Sequence, residues 1–193
     1  MKIHFFRPIA GVAAILCLIA ACNNNRSNDH EHSDTTNKGV DQSRIENREE
    51  DFVVDALGIN ADMKAWLKEA INTATDAELK SMAGQILKEQ EKMETGLKGY
   101  ADKRKFSTDD IDTVRAIKLI ERRGIRWDTE CADEIGDRHR QLIKRFERAQ
   151  KRIGNAELKN MIAQYLPVLR SQLKTVDDVE ARLYYDSMSP VIK

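Results

Sequence analysis

The chain has 193 residues, with 32 basic side chains against 32 acidic ones and 41% hydrophobic residues. That balance gives no global reason to expect nucleic acid or a polybasic grip on lipid headgroups, and the length suits one folded domain. In chain order, Lys2 and Arg7 form a basic head, and residues 9–21, IAGVAAILCLIAA, form an apolar run that ends in small residues before Cys22. At about 1.5 Å per residue the run covers roughly 20 Å as a helix, short of a hydrocarbon core of roughly 30 Å. Residues 1–21 therefore read as a secretory signal peptide rather than a membrane span.

Residues 18–22, LIAAC, resemble the bacterial lipobox, in which a bulky aliphatic residue and two small ones precede a cysteine that receives a diacylglyceryl group. The resemblance implies cleavage before Cys22, lipidation of its thiol and a membrane anchor in the envelope of a Gram-negative bacterium. Asn23, rather than Asp, favours the outer membrane, facing the periplasm, by the rule familiar from enteric bacteria. Cys17 leaves with the signal and Cys22 takes lipid, so Cys131 is left alone and no internal disulfide is expected.

Residues 22–47 are polar, poor in aromatics and lack helical or strand periodicity, which predicts a flexible tether. Its His30-Glu31-His32 reads as solvated linker. Beyond the tether, apolar residues at three- and four-residue steps, with three prolines in the whole chain, predict an all-α domain over 48–186 and a tail at 187–193. A first helix is expected over 48–73, with Phe52, Ala56, Met63, Leu67 and Ala70 inward. Thr75 and Glu78 have the spacing of a capping box for a second helix, whose stripe runs Leu79, Met82, Ile86, Gln90, Met93, Leu97 and Tyr100. Ser107 to Asp110 should open a short connecting helix ending near Gly124. A long helix over 127–153 places Cys131, Ile135, His139, Leu142 and Phe146 inward, and Asn155 caps a last one carrying Leu158, Ile162, Leu169, Val176 and Leu183.

The stretches DAELKSMAGQIL (76–87) and NAELKNMIAQYL (155–166) match at an offset of seventy-nine residues. Their opening Ala-Glu is common helix-start chemistry. The shared Leu, Met and Leu, extended backwards by Met63/Leu142, Leu67/Phe146 and Ala70/Ala149, point to two related helical hairpins. Taken with DFVVDALG (51–58), AELKSMAGQILKEQEKM (77–93), the Trp-Asp opening of WDTECADEIGDRHRQLIKRFERA (127–149) and the Leu-Pro-x-Leu of AELKNMIAQYLPVLRSQL (156–173), the chain resembles the bacterial envelope proteins grouped as domain of unknown function 4142. That resemblance implies a ferritin-like four-helix bundle built from two hairpins, with no established activity.

Ferritin-like metal centres use Glu and Glu-x-x-His groups that point inward. Members of the resembled family often carry His in the second helix, in the fourth, and after the Leu-Pro; here those positions are Gln90, His139 and Gln172. Amides are poor transition-metal ligands, and Glu130 and Glu134 stand nine and five residues before His139, neither completing Glu-x-x-His with it. The expectation is thus no cofactor. Gln90, His139 and Gln172 should form a buried polar layer or line a small-molecule pocket, with an envelope protein or small ligand as partner. The alternative is a ferritin-like metal-binding or redox protein using His139 with Glu130 or Glu134. Pro167 reads as a bend in the last helix, and Cys131 as a small buried group rather than a nucleophile. The basic run 138–152 reads as a solvated helix face, and residues 181–193 as a docking aromatic tail.

Overall fold

The computed structural model describes residues 35–108, 111 and 124–188. Four helices account for nearly all of them: α1, Thr35–Thr73; α2, Ala77–Arg104; α3, Ile125–Arg152; and α4, Ala156–Met188. No strand occurs among the described residues. The connecting helix expected between Ser107 and Gly124 falls almost wholly outside them.

Short loops force α1 and α2, and likewise α3 and α4, into antiparallel hairpins. The hairpins meet α1 against α3 and α2 against α4, and the α2/α4 seam is the more sparingly packed of the two. Met63, Leu67, Leu79, Leu97, Ile135, Leu142, Phe146, Leu158 and Ile162 are fully or almost fully buried in one core. Phe52 and Phe146 meet edge-on at 5.1 Å between ring centres, which locks α1 to α3 near one end. The internal repeat is physical here. Asp76 and Asn155, seventy-nine residues apart, are both N-caps, accepting from the backbone N–H of Leu79 at 2.8 Å and of Leu158 at 3.1 Å. Lys103 of α2 pairs with Glu157 in the first turn of α4, and its counterpart Arg182 of α4 pairs with Glu78 in the first turn of α2. Each hairpin thus clasps the other by the same charge pair, as a pseudo-twofold requires.

Three boundaries differ from the sequence-based expectation. Helix α1 begins at Thr35, not Arg48, and takes in much of the segment expected as tether. The anchor is tertiary: buried Glu49 accepts from the Tyr100 hydroxyl at 2.7 Å, and Arg104 reaches both Glu46 and Glu49. A helix so fixed propagates outward at little cost even through weakly patterned residues. The Thr75–Glu78 capping box does not form. Asp76 takes the cap, while the Thr75 hydroxyl donates to Asp128 at 2.6 Å. At the other end, the described part of the expected tail continues α4 to Met188, with Tyr184, Tyr185 and Met188 exposed, and residues 189–193 lie outside the described residues. Pro167 lies within α4 on its solvent side, where the carbonyl it leaves unpaired faces water.

Asp128, in the first turn of α3, holds the α1–α2 connection in place. Its carboxylate is 1% exposed and accepts from the Thr75 N–H, the Thr75 hydroxyl and the Asp76 N–H at 2.6 to 3.1 Å. One buried side chain therefore joins the first hairpin's turn to the second hairpin's first helix.

Candidate functional site

Half-way along the bundle each helix contributes one polar side chain to the interior: Asn60 from α1, Gln90 from α2, His139 from α3 and Gln172 from α4. The first three are no more than 1% exposed. Gln90 Nε2 donates to Gln172 Oε1 at 2.8 Å, and His139 Nε2 stands 3.3 Å from that same oxygen. His139 Nδ1 lies 3.0 Å from the Ile135 carbonyl one turn earlier, and Asn60 Nδ2 donates to the Gln90 carbonyl at 3.1 Å. Gln90, His139 and Gln172 are thus brought into one hydrogen-bonded layer. Each lies within or beside the apolar stripe of its helix, so folding the stripes together delivers them to the same level.

Asn60 escaped the sequence reading, yet a signal existed, because it stands seventy-nine residues before His139. The two are pseudo-twofold equivalents, both fully buried. Asn60 Oδ1 and Gln90 Oε1 accept no hydrogen bond from a protein donor.

The protonation state of His139 governs the layer. Burial pushes its imidazole below the ordinary value of 6.5, against the opposing influence of Ile135, Gln172 and Asp177, so the ring is held toward its neutral form. A carbonyl can only accept, so Nδ1 carries the proton given to Ile135, and in the neutral ring Nε2 is an acceptor. A Gln172 oxygen facing Nε2 suits the imidazolium; the neutral ring calls for the rotated amide, with its NH2 toward His139. Side-chain amide orientation is therefore coupled to one proton on His139.

Beside this layer, the α2/α4 seam opens as a cleft of about 310 Å³, with Gln90 and Gln172 at its polar end and Met93, Tyr165, Val168 and Leu169 as apolar wall. The sparse packing of α2 against α4 leaves this space, while Gly96 lets the Tyr165 hydroxyl approach α2 where a β-carbon would collide with it.

The carboxylates of the alternative metal reading lie elsewhere. Glu130 pairs with Arg126 and Glu134 with Arg138, each on its own helix, and neither joins His139. Among the described residues no three of His, Cys, Asp or Glu gather as a metal-ligand group. The side chains that share the layer with His139 are three amides, Asn60, Gln90 and Gln172, a set that does not fit the di-metal centre of ferritin-like proteins. Cys131 is fully buried, and burial together with nearby Asp128 pushes its thiol up to about 12, leaving it a packed, protonated group.

No curated protein and no solved structure matches this chain. The family model described as "Domain of unknown function (DUF4142)" matches residues 36–179, covering all four helices except the last turns of α4, and the chain belongs to that family.

Proposed function

We propose that this chain is a lipid-anchored, periplasm-facing lipoprotein of the Gram-negative envelope, acting as a binding or structural component rather than as a catalyst. The observation that carries the reading is the sequence Leu18-Ile19-Ala20-Ala21-Cys22 behind a basic head and a thirteen-residue apolar run. The rest is consistent with it: no described helix is long and apolar enough to cross a membrane, so attachment falls to the lipid. The mid-bundle layer supports binding over catalysis, since it sets no nucleophile beside a base and leaves Asn60 Oδ1 and Gln90 Oε1 open to a donor. The adjoining cleft suits a small, mostly apolar guest with one hydrogen-bonding end.

Expressed in a Gram-negative host, the protein should yield a processed chain whose first residue is Cys22 carrying diacylglycerol, as read by mass spectrometry. Cys22→Ala should leave an unprocessed or soluble chain and empty the membrane fraction of acylated protein. An acyl-free mature terminus at any other residue would overturn the proposal. The purified protein should also carry no stoichiometric iron, manganese or zinc; a metal lost on His139→Leu would replace the binding reading by the redox one.

A further inference from the structure

The basic run at the end of α3 acquires a purpose only in three dimensions. Arg145, Arg148, Ala149 and Arg152 are spaced at i, i+3, i+4 and i+7 and share one face of α3. Against that face α1 lays Arg48, Asp51, Phe52 and Asp55 at the same spacing. The two helices enclose a cleft of about 200 Å³ lined by Arg48, Arg145, Arg148 and Arg152, with Phe52 and Ile153 as its apolar floor and Asp51 at its edge.

Charge within the cleft is unbalanced. Arg145 pairs with Asp55, whereas Arg48, Arg148 and Arg152 have no carboxylate partner among the described residues. Four guanidinium groups thus face two carboxylates, Asp51 and Asp55. Among the described residues no further carboxylate pairs with Arg48, Arg148 or Arg152, and planar guanidinium groups lining one space match the oxygens of a phosphate. Elsewhere on the bundle Asp133, Asp137 and Asp177 do have a partner, since Arg140 pairs with all three, although burial with the neighbouring carboxylates still holds Glu180 above its ordinary pKa.

The basic cleft lies beside Arg48, Asp51 and Phe52 of α1, the helix that follows Cys22 in the order of the chain. We infer that the Arg48–Arg145–Arg148–Arg152 cleft binds the phosphate of an anionic phospholipid headgroup, seating this face of α1 and α3 on the bilayer. Its physiological setting rests on the lipid-anchor reading, although the recognition chemistry does not. The apolar floor of Phe52 and Ile153 accommodates the glycerol side of a headgroup, which free phosphate would leave unused.

The test uses the full chain in neutral-detergent micelles at low salt, following its unfolding temperature by circular dichroism. Doping with phosphatidylglycerol should raise that temperature by roughly 3–6 °C, as binding to the native state requires. Phosphatidylcholine, which has no net charge, should raise it far less. The triple variant Arg48→Glu, Arg148→Glu, Arg152→Glu alters exposed side chains; it should fold and lose the phosphatidylglycerol shift. The charge-matched variant Lys68→Glu, Lys80→Glu, Lys88→Glu, away from the cleft, should keep it. A shift surviving in the arginine variant, or none in the wild type, overturns the inference, as does inorganic phosphate at matched ionic strength reproducing the whole shift. Cys22→Ala should leave the shift intact. Absence of the shift in a wild-type chain shown to carry diacylglycerol on Cys22 would refute the cleft alone, and a shift in a wild-type chain shown to lack that acyl group would refute the anchor alone.

Discussion

Replacing Asp128 by Ala should destabilise the protein by about 2–4 kcal/mol and lower its unfolding temperature by roughly 5–15 °C, measured by thermal and urea denaturation. A buried carboxylate that accepts from two backbone N–H groups and a hydroxyl holds the turn between α1 and α2 on the first turn of α3. Its removal strands those donors at the hairpin junction, where Asp76 must also keep its cap on Leu79 and its pair with Arg182. Asp128→Asn keeps an acceptor of the same shape and should cost about half as much, because a neutral oxygen forms weaker bonds than a charged one. Glu78, largely exposed in its pair with Arg182, should tolerate Ala with a loss under about 1 kcal/mol. A loss of that small size at Asp128 would show that the connection is held by the apolar contacts of Ala74 and Leu79 instead.

His139 should impose a pH dependence that disappears in His139→Leu. The folded protein holds the imidazole below 6.5, so just below that pH the unfolded chain binds a proton that the folded chain refuses. Stability is then complete above 6.5, falls as pH drops through it, and levels off below the folded value; the slope for one proton can reach about 1.4 kcal/mol per pH unit. Asp76 acts in a separate window. Burial raises its carboxyl, but the Arg182 guanidinium and the Leu79 N–H outweigh that and hold it below 3.8, so its contribution is present above 3.8 and is lost only as pH falls below that value. Urea titrations between pH 7.5 and 5 should show the wild type losing stability toward acid and His139→Leu nearly flat. Equal slopes in both would mean that His139 does not titrate on unfolding and would remove the basis for coupling its proton to the Gln172 amide. At neutral pH the Leu variant should remain folded, because a side chain of similar volume fills the site and the two glutamines retain each other.

These two residues illustrate different degrees of legibility. The apolar periodicity around His139 placed it, Gln90 and Gln172 inward near mid-helix, and the structure brings the three together because helical faces with period 3.6 have one way to bury their stripes in a bundle. Asp128 gave no comparable signal. An acidic residue in the first turn of a helix ordinarily faces water and favours the helix dipole, and only the docking of Thr75 onto it accounts for its burial. The same applies to Glu49, whose partners Tyr100 and Arg104 lie fifty-one and fifty-five residues away. Asn60 falls between: its burial was implied by the repeat, since it occupies the place of His139 in the other hairpin.

The order of the amino acids was sufficient to define an all-α chain, two related hairpins, the inward faces of the helices and the family to which they belong, because periodicity, caps and repeats are local properties of the chain. Tertiary structure alone decided where α1 begins, which carboxylates are buried and how charge is distributed. A balance of 32 basic and 32 acidic residues says nothing about segregation. Arg48 joins Arg145, Arg148 and Arg152 only because α1 runs antiparallel to α3, and that juxtaposition, set by nearly a hundred residues of intervening chain, turns a solvated helix face into a cationic cleft.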